Sequence, residues 1–141
     1  MTYQLVVFIE NKPGRFSHVT EALVEANINI RAVTIASAGS FGLLKLVVDR
    51  PEQAFQLLRS KGFTVNLQEV LAVVMKDEPG GLNSVLKLLA QKGLNVKDAC
   101  GFVEESGKRA VLILEVDNFS EAKRIVQAAN IPFYEEKIYG L

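Results

Sequence analysis

The chain opens with a β-branched and aromatic run, Tyr3-Gln4-Leu5-Val6-Val7-Phe8-Ile9, which predicts a strand. Pro13-Gly14 breaks it. Phe16, Val19, Leu23 and Ala26 then recur at steps of three or four, the spacing of one helix face, with His18, Glu21 and Glu25 on the opposite face. Asn27 tolerates the left-handed conformation and predicts the helix end. Strands follow at 28–37 and 41–48, joined by Ala38-Gly39-Ser40. A second helix is predicted over 51–61, with Pro51 at the favoured first position and Lys61-Gly62 at its close. A strand at 63–69 completes the order βαββαβ.

The pattern then starts again. Pro13 falls on Pro79 at an offset of 66, where Leu5 meets Leu71, Val7 meets Val73, Val19 meets Val85, Leu23 meets Leu89 and Asn29 meets Asn95. Further on the offset becomes 68: Leu44 meets Leu112, Leu46 meets Leu114, Val48 meets Val116, Asp49 meets Asp117 and Ala54 meets Ala122. The two extra residues fall near Glu104-Glu105-Ser106-Gly107-Lys108, a predicted hairpin tip, where insertions are tolerated. The second copy is expected to repeat the whole order through residue 139.

Two copies, 1–69 and 70–141, therefore predict an α+β chain of two ferredoxin-like βαββαβ units. Right-handed crossovers give each an antiparallel sheet with both helices on one face. One such unit alone is marginal in buried surface. No Pro/Gly/Ser-rich linker separates them, because Asn66 to Val74 is one apolar-rich run. The expectation is a pair packed side by side into one antiparallel sheet. Leu5-Val6-Val7-Phe8-Ile9, Leu71-Ala72-Val73-Val74-Met75 and Val111-Leu112-Ile113-Leu114 are apolar at consecutive positions, so both faces of these strands need cover. A second subunit would supply it, which predicts a homodimer or higher assembly.

Composition narrows the classes. Of 141 residues 49% are hydrophobic, enough for a buried core and too many for disorder. Lys+Arg and Asp+Glu number 16 each, and this neutral balance argues against a nucleic-acid partner. No apolar run approaches the roughly 18 residues of a membrane span. Met1-Thr2-Tyr3-Gln4 enters the first strand without a charged leader, so no signal peptide is expected. With Cys100 as the single cysteine, a reducing, cytoplasmic setting is the expectation.

The end of each first strand carries a motif, Asn11-Lys12-Pro13-Gly14-Arg15-Phe16 and Asp77-Glu78-Pro79-Gly80-Gly81-Leu82. The turns into the second strands, Asn27-Ile28-Asn29-Ile30 and Gly93-Leu94-Asn95-Val96, also match. In this frame the chain resembles a tandem pair of ACT domains. The resemblance covers nearly the whole chain and implies a stand-alone regulatory module. It also implies a free amino acid or similar small effector at the interface of two such units, and a metabolic enzyme as a possible regulated partner.

The physics of the loops points the same way. A helix beginning at Gly14 or Gly80 leaves backbone N–H groups without intrahelical acceptors at the positive end of its dipole. A carboxylate suits that place, and glycine lets a ligand approach the backbone. Asp77 can pair with an ammonium group, Asn11 with either end of a zwitterion, and Arg15 with a carboxylate. Gly81, where the first loop has Arg15, is expected to leave more room. Against this stands the reading in which Asn11 and Asp77 only cap helices and Pro-Gly only turns the chain. The expected ligand residues are Asn11, Pro13, Gly14, Arg15 and Phe16 with Asp77, Pro79, Gly80, Gly81 and Leu82.

Catalysis finds little support. His18 sits on a polar helix face, and Cys100 has no sequence neighbour to activate it. No CxxC, HExxH, GxSxG or P-loop pattern occurs. Glu104-Glu105 and Glu135-Glu136 read as solvated surface pairs. No catalytic residue, metal or cofactor is expected. Three alternatives share the fold. An RNA-binding domain needs exposed aromatics on its central strands, and the third strands offer only Phe41. An acylphosphatase-like enzyme would use Arg15 and Asn11 as an anion loop. A ligand-independent interaction module would act as the regulatory subunit of a metabolic enzyme.

Overall fold

A computed structural model describes residues 2–140. The chain divides into two compact units, Tyr3–Gln68 and Glu69–Tyr139. The first contains β1 (Thr2–Glu10), α1 (Arg15–Glu25), β2 (Ile30–Ala38), β3 (Phe41–Val48), α2 (Pro51–Ser60) and the start of β4 (Thr64–Lys76). The second contains the rest of β4, α3 (Gly81–Gln91), β5 (Val96–Glu105), β6 (Arg109–Val116), α4 (Phe119–Ala128), β7 (Phe133–Tyr134) and a 3₁₀ turn, Glu136–Gly140. The strand order is β2-β3-β1-β4 in the first unit and β5-β6-β4-β7 in the second. Both are ferredoxin-like βαββαβ units, and the pairings β1–β3, β2–β3, β4–β6, β4–β7 and β5–β6 are all antiparallel.

The repeat is a repeat of core positions. In the first unit Leu5, Val7, Leu44 and Leu46 meet Val19, Leu23, Ala54 and Leu58 of the helices. In the second, Leu71, Val73, Leu112 and Leu114 meet Val85, Leu89, Ala122 and Val126 at the matching positions. Because these strand residues alternate, both helices of a unit cover one face of its sheet. Polar positions repeat too. The Asp49 carboxylate accepts from Asn29 N–H while Asp49 N–H donates to the Asn29 carbonyl. Asp117 and Asn95 make the same reciprocal pair. The residues closing the four helices are left-handed, with φ 55° at Asn27 and Asn130, 89° at Gly62 and 75° at Gly93. The two copies thus exchange Asn and Gly at these ends, the two residue types that adopt this conformation most readily.

Two expectations change. The fourth strand of the second copy does not extend through residue 139: β7 is two residues long and pairs with Ala72 and Val73. Beyond it Glu135 turns outward to Lys123, and the 3₁₀ turn buries Ile138 to 1% exposure. Nor does the second face of these strands lie uniformly open. Val6, Val47, Ala72, Val111 and Ile113 lie off the helix-covered face, yet all are at most 6% exposed within the single chain. The large apolar residues left in the open are Val33 and Ile35 on β2, Phe41 on β3, Phe8 on β1, Val103 on β5, Val24 on α1 and Leu82 on α3. Among the described residues no helix is long and apolar enough to cross a membrane.

Candidate functional site

Each Pro-Gly turn is built on the same backbone plan. Arg15 N–H donates to the Lys12 carbonyl and Gly81 N–H to the Glu78 carbonyl, closing equivalent turns. His18 N–H to Gly14 and Ser84 N–H to Gly80 are then the first full helical bonds. Gly14 and Gly80 sit at the N-cap with φ 84° and 90°, a conformation that strains any side chain. Neither helix has a side-chain cap. The helix-capping alternative for Asn11 and Asp77 is therefore wrong, because glycine occupies that position.

Asn11 and Asp77 instead anchor the hairpin tips. Asn11 Nδ2 donates to the Gly39 carbonyl at 3.2 Å, and Asp77 Oδ2 accepts from Gly107 N–H at 2.7 Å. Their own N–H groups donate to Ser40 and Lys108 respectively. The contacts are homologous and the hydrogen-bond direction is reversed, as an amide and a carboxylate require. These are the positions from which both side chains were expected to reach a ligand.

Side chains around the two loops differ. At the first, Lys12 Nζ lies 2.9 Å and Arg15 3.9 Å from the Glu10 carboxylate. The Lys12 hydrogen bond, followed by the charges of Lys12 and Arg15, holds the Glu10 carboxyl below its ordinary value. Arg15, expected to take a carboxylate, already has one beside it. Phe16 is partly buried, and a Cβ on Gly42 would come within 2.7 Å of its ring, so the ring packs where β3 carries no side chain. Leu82, its counterpart, is 46% exposed.

The second loop borders a cavity of about 380 Å³. Val74, Met75, Val85, Ile131 and Pro132 form its apolar lining. Lys76, Glu78, Ser84 and Asn130 are its polar lining, and Pro79, Gly80 and Gly81 bring in the start of α3. All belong to the second unit. Of the residues expected at this loop, Pro79, Gly80 and Gly81 line the cavity, whereas Asp77 and Leu82 are not among the lining residues. Gly81 does not serve chiefly to make room for a ligand. A Cβ there would lie 2.0 Å from the Lys76 carbonyl, so glycine is demanded by the close approach of α3 to β4.

The repeat offsets explain why the surroundings differ. The first-unit counterparts of Val74, Gly81, Ser84 and Ile131 are Phe8, Arg15, His18 and Phe63, each larger. The sequence reading missed Lys76, Glu78 and the Asn130–Pro132 segment. A residue-by-residue comparison along the two offsets shows these substitutions.

The remaining candidates fall elsewhere. His18 is exposed and lines a shallow groove with Glu21, Glu25 and Lys61. Cys100 is a half-buried free thiol on β5, opposite Ile113. Glu104 is not an idle surface carboxylate: Tyr134 Oη donates to it at 2.8 Å and Arg109 lies 3.6 Å away. The Glu104 hydrogen bond raises the Tyr134 phenol above its ordinary value, with desolvation second. No cluster of three or more metal-ligating side chains occurs among the described residues.

Comparison with known proteins agrees with this architecture. A crystallised protein from Bacteroides thetaiotaomicron shares 29% identity over 99% of this chain and 96% of its own, with a TM-score of 0.92. The ligand-free regulatory subunit of aspartate kinase from Thermus thermophilus is similar in fold at 20% identity and a TM-score of 0.67, covering 91% and 92% of the two chains. Its counterpart from Thermus flavus is similar at 18% identity and a TM-score of 0.60, covering 92% and 94%. No curated protein matches. A family model described as an ACT domain pair matches residues 1–140, and the chain belongs to that family.

Proposed function

We propose that the protein is a regulatory module that binds a free amino acid at the second Pro-Gly loop and performs no catalysis itself. One observation carries the reading: the cavity of about 380 Å³ beside the start of α3. That volume lies near the lower end of the roughly 300–1,000 Å³ range of small-molecule sites, which suits a metabolite the size of an amino acid. The first N–H groups of α3 lack helical acceptors and lie at the positive end of the helix dipole. The ligand's α-carboxylate sits there, and Gly80, with open space where a Cβ would be, lets it approach. The fold-level likeness to regulatory subunits of aspartate kinase supports a module that acts on an enzyme through its ligand state.

A thermal-shift screen of the full chain against the free amino acids tests this. Binding with Kd between about 1 μM and 1 mM is expected. At a ligand concentration 100-fold above Kd the fold gains about 2.7 kcal/mol, which raises Tm by roughly 5–15 °C. No shift with any amino acid overturns the reading.

A second reading concerns assembly. Val33 and Ile35 stand 51% and 55% exposed on the same face of β2, an outer strand of its unit. Exposed edge strands with apolar side chains pair readily with another chain. We propose that β2 is the edge through which the protein forms a homodimer or meets the enzyme it regulates. Val33→Lys with Ile35→Lys should convert a dimer to a monomer by light scattering. A wild-type monomer at micromolar concentration would remove the homodimer.

A further inference from the structure

We propose that the ligand is an α-amino acid with an uncharged, apolar side chain, held as a zwitterion between Lys76 and Glu78. This rests on the reading above and names its ligand class. The charge pattern of the two loops carries it. Glu10 and Lys12 of the first loop neutralise each other at 2.9 Å. Their counterparts at an offset of 66 are Lys76 and Glu78, with the signs exchanged. Both line the cavity, and neither side chain has a hydrogen-bond or ion-pair partner among the described residues.

Lys76 and Glu78 are both exposed, so each charge is open to a ligand. Lys76 supplies a compact positive charge for the α-carboxylate and Glu78 a negative one for the α-ammonium. A zwitterion brings both partners at once and leaves the site neutral.

The rest of the lining selects the side chain. Val74, Val85, Ile131 and Pro132 offer it no charge. A third charge on the ligand would be desolvated there without a partner, whereas an aliphatic or thioether group buries apolar surface at about 25 cal/mol per Å². Val85 is 3% exposed and belongs to the core, so that wall is rigid. The larger Phe8 and Phe63 at two matching positions, and the internally paired charges, leave the first loop without this arrangement.

Calorimetry on the full chain with L-valine, L-leucine, L-isoleucine, L-methionine, L-aspartate, L-lysine and isovalerate tests the proposal. At least one apolar amino acid should bind at least tenfold more tightly than aspartate or lysine. Isovalerate, which is valine without the ammonium group, should bind at least tenfold more weakly than valine. Lys76→Gln and Glu78→Gln should each weaken the best ligand about tenfold or more. Circular dichroism and urea midpoints close to wild type would show that both variants fold. Lys12→Gln, at the first loop, should leave affinity unchanged. If aspartate or lysine binds best, or if both Gln variants keep full affinity, the zwitterion seat is wrong although the protein still binds an amino acid. If no amino acid binds, the regulatory-site reading fails first and this assignment with it.

Discussion

At the first Pro-Gly loop Glu10 holds Lys12 and draws Arg15, and Phe16 packs its ring against Gly42. At the second, the matching positions carry Lys76, Glu78, Gly81 and Leu82, and the loop borders a cavity. The backbones differ little: both N-cap glycines are left-handed, both turns close with equivalent hydrogen bonds, and both loops tie down a hairpin tip. The repeat thus preserves what folds the unit and varies the side chains around the loop. One loop has its charges paired within the chain, and the other carries Lys76 and Glu78 beside a cavity.

Mutations sharpen the comparison. The largest effect should come from the part the copies share. Leu23→Ala and Leu89→Ala, each at a side chain with 0% exposure, should both cost about 2–5 kcal/mol in urea denaturation. A loss in only one copy would show that the cores are not equivalent. Next comes the position where the loops part. Gly81→Ala should cost about 1–3 kcal/mol, because its Cβ would lie 2.0 Å from the Lys76 carbonyl and α3 must move. Arg15→Ala, on an exposed side chain, should stay within about 0.5 kcal/mol. Equal costs would mean that the close approach of α3 to β4 relaxes freely.

Smaller still are the hairpin anchors. Asp77→Ala should cost about 1 kcal/mol and loosen the Ser106–Lys108 tip in amide exchange, and Asn11→Ala should cost less, since its hydrogen bond is longer and carries no charge. The smallest effect is a titration. Glu10 should titrate below 4.5 by NMR, and Lys12→Ala should bring it back. A lowered carboxyl stabilises the fold above the unfolded-state pKa, and that contribution is lost as pH falls through the folded value. Tyr134 runs the other way. Its raised phenol favours the fold below an ordinary value near 10, and that contribution is lost as pH rises through the folded value. Glu104→Gln should return the Tyr134 titration toward that ordinary value.

Most of the fold was legible because core periodicity is written twice. Leu5, Leu23, Leu44 and Ala54 each have a counterpart, and both copies obey helix and strand spacing together. The short β7 was not legible, because residues 133–139 keep apolar members while the chain turns. Cover for the second face of the strands could not be read from alternation either. Alternation reports that Val111 and Ile113 are buried, not what buries them. At the site, Pro79, Gly80 and Gly81 stood out because Pro-Gly after a strand has few conformational uses. The tie from Asp77 to the hairpin tip was not legible, since the N–H it holds lies 30 residues away. Asn130, Ile131 and Pro132 were missed because the cavity forms across tertiary contacts that local patterning does not encode.

Titration of the ¹⁵N-labelled full chain with L-leucine separates the two loops most directly. Amide shifts should appear at Lys76, Glu78, Gly80–Val85, Asn130 and Ile131, while Lys12 and Gly14–Val19 stay in place. Shifts at Gly14–Val19 with none around Gly80, under leucine or any other amino acid that binds, would contradict the account and move the site to the loop whose charges are already paired.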